Sequence, residues 1–79
     1  MGIYVRIEKV LETGAVVRYS FGTGNGKAGM VELRRKDGEV VLMEPMLEDE
    51  KMHHFERAAV KVFRAWEKGE FPQCLEWAS

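Results

Sequence analysis

The segment from Met52 to Lys68 constrains the fold most, because it reads as a helix with two chemically opposite faces. Met52, Phe55, Ala59, Val62 and Trp66 recur at helical spacing, with Phe63 beside them, and at about 100° per residue they form one apolar stripe. A stripe of this kind must be covered, so the rest of the chain has to supply an apolar surface. Glu48, Asp49 and Glu50 near the helix start, and Arg64 and Lys68 near its end, suit the helix dipole. Gly69 is a natural C-terminal stop.

The upstream sequence reads as that surface. Ile3, Val5 and Ile7 alternate with Tyr4, Arg6 and Glu8, and Ala15, Val17, Tyr19 and Phe21 repeat the pattern. Glu12-Thr13-Gly14 between them suits a three-residue hairpin loop, which sets Ile7 opposite Tyr19, Val5 opposite Phe21 and Glu8 opposite Arg18. A second hairpin is predicted from Met30–Lys36 and Glu39–Met43, with Asp37-Gly38 as a two-residue turn. That turn pairs Lys36 with Glu39 and Leu33 with Leu42. Pro45 ends the last strand. The tail from Glu70 to Ser79 leaves two alternatives open: a short helix opened by Pro72, or an extended segment. Phe71 and Trp77 argue that it packs rather than floats. The expected fold is therefore α+β: a four-stranded antiparallel β-meander of two hairpins, one C-terminal amphipathic helix across one face, and a short apolar tail. The core is expected to join Trp66, Phe55, Ala59 and Val62 to Val5, Ile7, Val17, Tyr19, Leu33 and Leu42.

Length and charge bound the function. Seventy-nine residues make a single domain over 1–79 with one modest core, burying roughly 60–65% of the unfolded surface. A formal charge of −1 gives no global attraction to nucleic acid or to an anionic membrane, so any such attraction must be local. The lone Cys74 cannot form an internal disulfide, and no apolar run approaches the ~20 residues of a membrane span. Met1-Gly2 opens like a myristoylation signal, but Arg6 stands where that signal needs Ser or Thr. The expected location is cytoplasmic.

Three motifs invite chemistry. Gly24, Gly26 and Gly29 spell GxGxxG, and Val31 extends it to the pattern of a kinase glycine loop. The remaining kinase motifs are missing, and a strand rather than a helix follows, against the dinucleotide fingerprint. A Walker loop fails at Phe21 and Ala28. The segment Gly22–Gly29 is expected to be a mobile strand connector, with an anion contact through Lys27 as the alternative. His53 and His54 diverge by about 100° on a helix and cannot chelate one ion together. Pairing Cys74 with a histidine as a nucleophile depends on the packing of the tail. No cofactor, metal or enzymatic activity is expected.

The functional clue is the other side of the helix. Arg57, Lys61, Arg64 and Lys68 lie at i, i+4, i+7 and i+11 with no acid among them. Like charges at i, i+4 cost roughly 0.2–0.5 kcal/mol per pair, and Arg57 and Lys61 are too far from the helix end to be repaid by the dipole. Flanking Glu56 and Glu67 are the available neutralising groups. The uncovered sheet face carries Tyr4, Arg6, Val10, Val16, Arg18, Arg34, Val41 and Met43, a mixture that reads first as a half-wet sheet face and, as the alternative, as a protein contact or a homodimer face. A nucleic-acid platform would need several stacking aromatics, and only Tyr4 is present.

The strands-then-helix layout and mixed-charge surface resemble small bacterial immunity or antitoxin proteins, which implies action by binding one partner. The leading expectation is a non-enzymatic protein-binding or regulatory module using the basic helix stripe against an acidic partner. The alternative is a sequence-nonspecific nucleic-acid binder using the stripe with Arg34, Arg35 and Lys36.

Overall fold

The computed structural model describes residues 3–24 and 26–78; Met1, Gly2, Asn25 within the glycine-rich loop, and Ser79 lie outside the described residues. The elements are β1 (Val5–Glu12), β2 (Val16–Gly22), β3 (Ala28–Arg34), β4 (Val40–Glu44), α1 (His53–Lys68) and β5 (Cys74–Trp77). They build one antiparallel sheet in the order β4-β3-β2-β1-β5, with α1 packed across one face. The α+β architecture is the expected one, and the tail adds a fifth strand.

The tail is extended because β1 offers a free edge and the segment alternates correctly to take it. Leu75 lies opposite Ile7 and Trp77 opposite Val5, on the core side, while Cys74 and Glu76 lie opposite Glu8 and Arg6. The approach is fixed by polar contacts: the buried Tyr19 hydroxyl donates to the Pro72 carbonyl at 2.7 Å, and Lys9 Nζ donates to the Phe71 carbonyl at 2.9 Å. Lys9 N–H donates to the Gln73 carbonyl at 2.8 Å, and the Gln73 side-chain amide returns a bond to the Lys9 carbonyl.

Both hairpins keep the predicted faces but shift register. Ile7 pairs with Phe21, Glu8 with Ser20 and Lys9 with Tyr19, in place of the predicted Ile7–Tyr19, Val5–Phe21 and Glu8–Arg18 pairs. The turn closes later than expected: Thr13 N–H donates to the Val16 carbonyl, and the Thr13 hydroxyl accepts from the Ala15 and Val16 N–H groups. Continued without interruption, that turn would put Ile7 opposite Gly22 and turn the apolar residues of β1 away from those of β2. A bulge at Val10, between the Lys9–Tyr19 and Leu11–Arg18 pairs, inserts one residue and restores the parity.

In the second hairpin Leu33 pairs with Val40 and Val31 with Leu42, not Leu33 with Leu42. The connection widens to Arg35–Gly38, closed by Arg34 N–H to the Glu39 carbonyl and Gly38 N–H to the Arg34 carbonyl. Trp66 is the cause we assign. Its indole N–H donates to the Arg35 carbonyl at 2.8 Å, and its ring lies against Gly38, where an added Cβ would meet three ring atoms at 2.6–2.8 Å. Arg35 keeps its N–H on the Ala15 carbonyl at 2.9 Å, and the wider loop turns its carbonyl to the indole.

The helix begins at His53, with Met52 outside it in a left-handed conformation (φ 62°) and 39% exposed. Asp49 caps it from the preceding loop: Oδ1 accepts from His54 N–H and Oδ2 from Phe55 N–H, both at 3.0 Å. The buried stripe is rotated from the expected one. Ala58, Val62 and Ala65 are its buried residues, Phe55 and Trp66 pack at its flanks, and Phe63 is exposed. Two alanines on the inner face let the helix backbone approach the sheet closely, and the larger side chains fill the margins. The core beneath consists of Val5, Ile7, Val17, Tyr19, Phe21, Val31 and Leu33, closed at one end by Met46; the expected Leu42 is only partly buried.

Candidate functional site: a basic helix face beside an edge strand

The cations on the sheet strands, with Lys27 and Arg35 beside them, are paired within the fold. Arg6 pairs with Glu8 at 2.8 Å, Arg18 with Glu32 at 2.8 Å, Lys9 with Glu12 at 2.7 Å and Lys27 with Glu48 at 2.5 Å. Arg34 approaches Glu39 at 4.0 Å, and Arg35 approaches Glu12 at 3.5 Å. Arg35 is further engaged in holding the fold, donating to the Thr13 carbonyl at 2.9 Å and lying over the Phe71 ring. Arg34, Arg35 and Lys36 line a depression of about 570 Å³ with the β1–β2 turn, separate from the helix stripe. On the uncovered sheet face the arginines sit in alternating ion pairs. The exposed Tyr4 and Val10 lie toward one side of the sheet and Met43 on the opposite edge strand.

The helix stripe is different. Among the described residues, Arg57, Lys61, Arg64 and Lys68 have no carboxylate within ion-pair distance, and neither Glu56 nor Glu67 neutralises them. Trp77 of β5 lies beneath two of them: the Arg57 guanidinium carbon is 5.8 Å and Lys61 Nζ 5.9 Å from its ring centroid. Arg57 also donates to the His53 carbonyl at 3.1 Å. Farther along, Lys61, Arg64 and Lys68 border a cleft of about 240 Å³ whose other wall is Glu70, Pro72 and Leu75, with Ala65 between. Two donors in this region, Arg57 Nε and Trp77 Nε1, are buried without a hydrogen-bond partner among the described residues. The stripe was legible in the sequence. Trp77 and Leu75 as its floor were not, although the alternation of Leu75 and Trp77 with Cys74 and Glu76 was the available signal.

The other motifs are used by the fold. Gly29 is pressed against the Phe21 ring, the Glu44 carbonyl and the Met46 N–H, so a Cβ there would meet atoms at 2.5–2.8 Å. Lys27, the cation of the glycine-rich loop, is paired with Glu48. His54 Nδ1 is 3.0 Å from Asp49 Oδ1 and belongs to the helix cap. Burial acts to raise the Asp49 pKa, but the His54 and Phe55 N–H groups and the imidazole outweigh it and hold the carboxyl below its usual range. Cys74 stands opposite Glu8 on the outer sheet face, away from the helix that carries both histidines. Among the described residues no three His, Cys, Asp or Glu side chains converge to hold a metal, and no helix is long and apolar enough to cross a membrane.

No protein-family model matches the chain, and comparisons with curated proteins and with solved structures gave no significant match. The class defined by the fold is a small antiparallel α+β domain.

Proposed function

We propose that this chain is a non-enzymatic binding module whose α1 cations engage an acidic segment of a protein partner. The observation that carries the reading is selective pairing. Arg6, Lys9, Arg18, Lys27, Arg34 and Arg35 have carboxylates at 2.5–4.0 Å; among the described residues the isolated loop lysines Lys36 and Lys51 have none, and Arg57, Lys61, Arg64 and Lys68 are the cations without one that share a single element. A face needed only for solubility gains stability by interleaving glutamates at i, i+4, and this one forgoes that gain. The net charge of −1 favours a local acidic ligand over the extended phosphate field of nucleic acid. Inhibition of one partner, as in immunity proteins and antitoxins, is a special case of this reading.

The test is charge reversal at exposed or half-exposed positions, Lys61→Glu, Arg64→Glu and Lys68→Glu together, which keep clear of the buried stripe. Wild-type protein should bind a glutamate-rich peptide with affinity that falls as salt rises, and the triple variant should fold normally and lose that binding. Tight duplex binding with a steep salt slope and little sequence preference would move the stripe to nucleic acid. Equal peptide binding by wild type and variant would return it to a solvated face.

A further inference from the structure

The cations of α1 lie along an unpaired sheet edge. β5 is terminal in the sheet, paired with β1 on one side only. The Lys9 N–H to Gln73 carbonyl bond sets the phase of that pairing. By the alternation of an antiparallel ladder, Gln73, Leu75 and Trp77 direct their backbone groups to β1, and Cys74 and Glu76 direct theirs outward. The helix follows this edge in the opposite direction, since Arg57 stands over Trp77 while Lys61, Arg64 and Lys68 border the cleft with Leu75 and Pro72.

We propose that the acidic partner binds as an extended segment, added as a sixth strand to the free edge of β5, with alternate carboxylates beneath the α1 stripe. This rests on the reading that the stripe engages an acidic protein segment, and it specifies the conformation of that segment and its seat. Three features support it. Stripe cations succeed one another by about one helical turn of 5.4 Å, close to the roughly 6.7 Å between alternate residues of a strand, so an extended ligand can present a carboxylate to each of two or three in turn. Arg57 Nε and Trp77 Nε1 are buried donors without acceptors among the described residues, and a carboxylate entering between the helix and the new strand offers them one. The half-buried Leu75 and Trp77 give the inward face of the added strand an apolar floor.

Charge also selects this edge over the opposite one. β4 ends at Glu44, which has no ion pair among the described residues and repels an acidic strand, while Glu39 at its other end is offset by Arg34. On the outer face of β5, Glu76 and the neighbouring Glu8 disfavour acids. The matching segment therefore alternates, with acids toward the helix and neutral residues toward the outer sheet face. Strand addition of this kind draws affinity from main-chain hydrogen bonds and specificity from alternate side chains.

The probe is an eight-residue peptide alternating Glu and Thr, with two versions N-methylated at all Thr or at all Glu residues. Binding to the intact protein is read by calorimetry, and amide hydrogen exchange is read at Cys74 and Glu76. The expected result is salt-sensitive binding that slows exchange at both amides. Only one methylation set should weaken it, by about tenfold or more: the Thr set for an antiparallel addition, the Glu set for a parallel one. Binding that is lost on charge reversal of Lys61 and Arg64, yet indifferent to methylation and without protection of the two amides, would overturn strand addition and leave the charged-face reading standing. Equal weakening by both sets would also overturn it. Absence of binding by either protein form to this peptide and to glutamate-rich peptides generally would sink both.

Discussion

The contact between Gly38 and Trp66 makes a prediction whose magnitude follows from the geometry. Gly38 has φ +76°, where a Cβ costs about 1–2 kcal/mol in backbone strain. In Gly38→Ala the new Cβ would also sit 2.6–2.8 Å from three atoms of the Trp66 ring, well inside the ordinary carbon–carbon separation of about 3.5–4.0 Å. The ring cannot simply retreat, because its N–H is bonded to the Arg35 carbonyl at 2.8 Å. Overpacking of this kind adds about 1–3 kcal/mol, so the substitution should cost about 2–5 kcal/mol in total. In a Trp66→Phe background the two nearest colliding atoms, Cε3 and Cζ3, are gone, and so is the N–H that holds the ring in place, so Gly38→Ala should cost little more than the backbone share. Urea unfolding followed by far-UV circular dichroism on all four proteins measures the coupling, expected at about 1–3 kcal/mol. Equal costs in the two backgrounds would refute the packing of Trp66 on Gly38, and a cost near zero in both would refute the left-handed turn.

Other perturbations read other parts of the structure. The Asp49 carboxyl has a lowered pKa in the fold, so its contribution is fully present above the unfolded value of about 3.9 and is lost as pH falls through the folded one. Acid titration of stability should therefore be shallower in Asp49→Asn than in wild type, and Asp49→Ala should cost about 0.5–2 kcal/mol at neutral pH. Burial, with the Glu12 charge adding to it, pushes the Tyr19 hydroxyl up to about 12. Its contribution holds below the unfolded value of about 10 and disappears as pH rises through the folded one, so ultraviolet titration should show Tyr19 ionising with alkaline unfolding. Tyr19→Phe should cost about 1 kcal/mol and speed hydrogen exchange in β5 more than in β2, because the lost bond is the one to Pro72.

Alternation made the faces of the strands legible, because the side-chain period of two survives a register error of two. It could not reveal the registers. The Val10 bulge sits in Lys9-Val10-Leu11, where no glycine or other turn residue marks it, and the widened β3–β4 loop answers to Trp66, which lies far along the chain. The Asp37-Gly38 signal correctly marked a turn, but local turn preference yielded to a tertiary hydrogen bond. The tail stayed ambiguous because four residues carry too little period to separate strand from helix. For the candidate site, the spacing of Arg57, Lys61, Arg64 and Lys68 was visible directly. Arg34 and Arg35 looked equivalent to them in sequence, and only the positions of Glu39, Glu12 and Phe71 distinguish cations occupied by the fold from those left open.

The placement of β5 has a consequence for synthesis. The partners of Val5 and Ile7 are Trp77 and Leu75, nearly the whole described chain away, so both hairpins are translated long before the sheet can be completed. During that interval β1 is an outer strand with open amides, the kind of surface that recruits other nascent chains. Its alternating charges Arg6, Glu8 and Lys9 make a poor template for such pairing, and in the finished protein Lys9 reaches back to hold the Phe71 carbonyl and Gln73. The residues that discourage wrong partners on the growing chain thus include the one that fastens the right partner when it arrives.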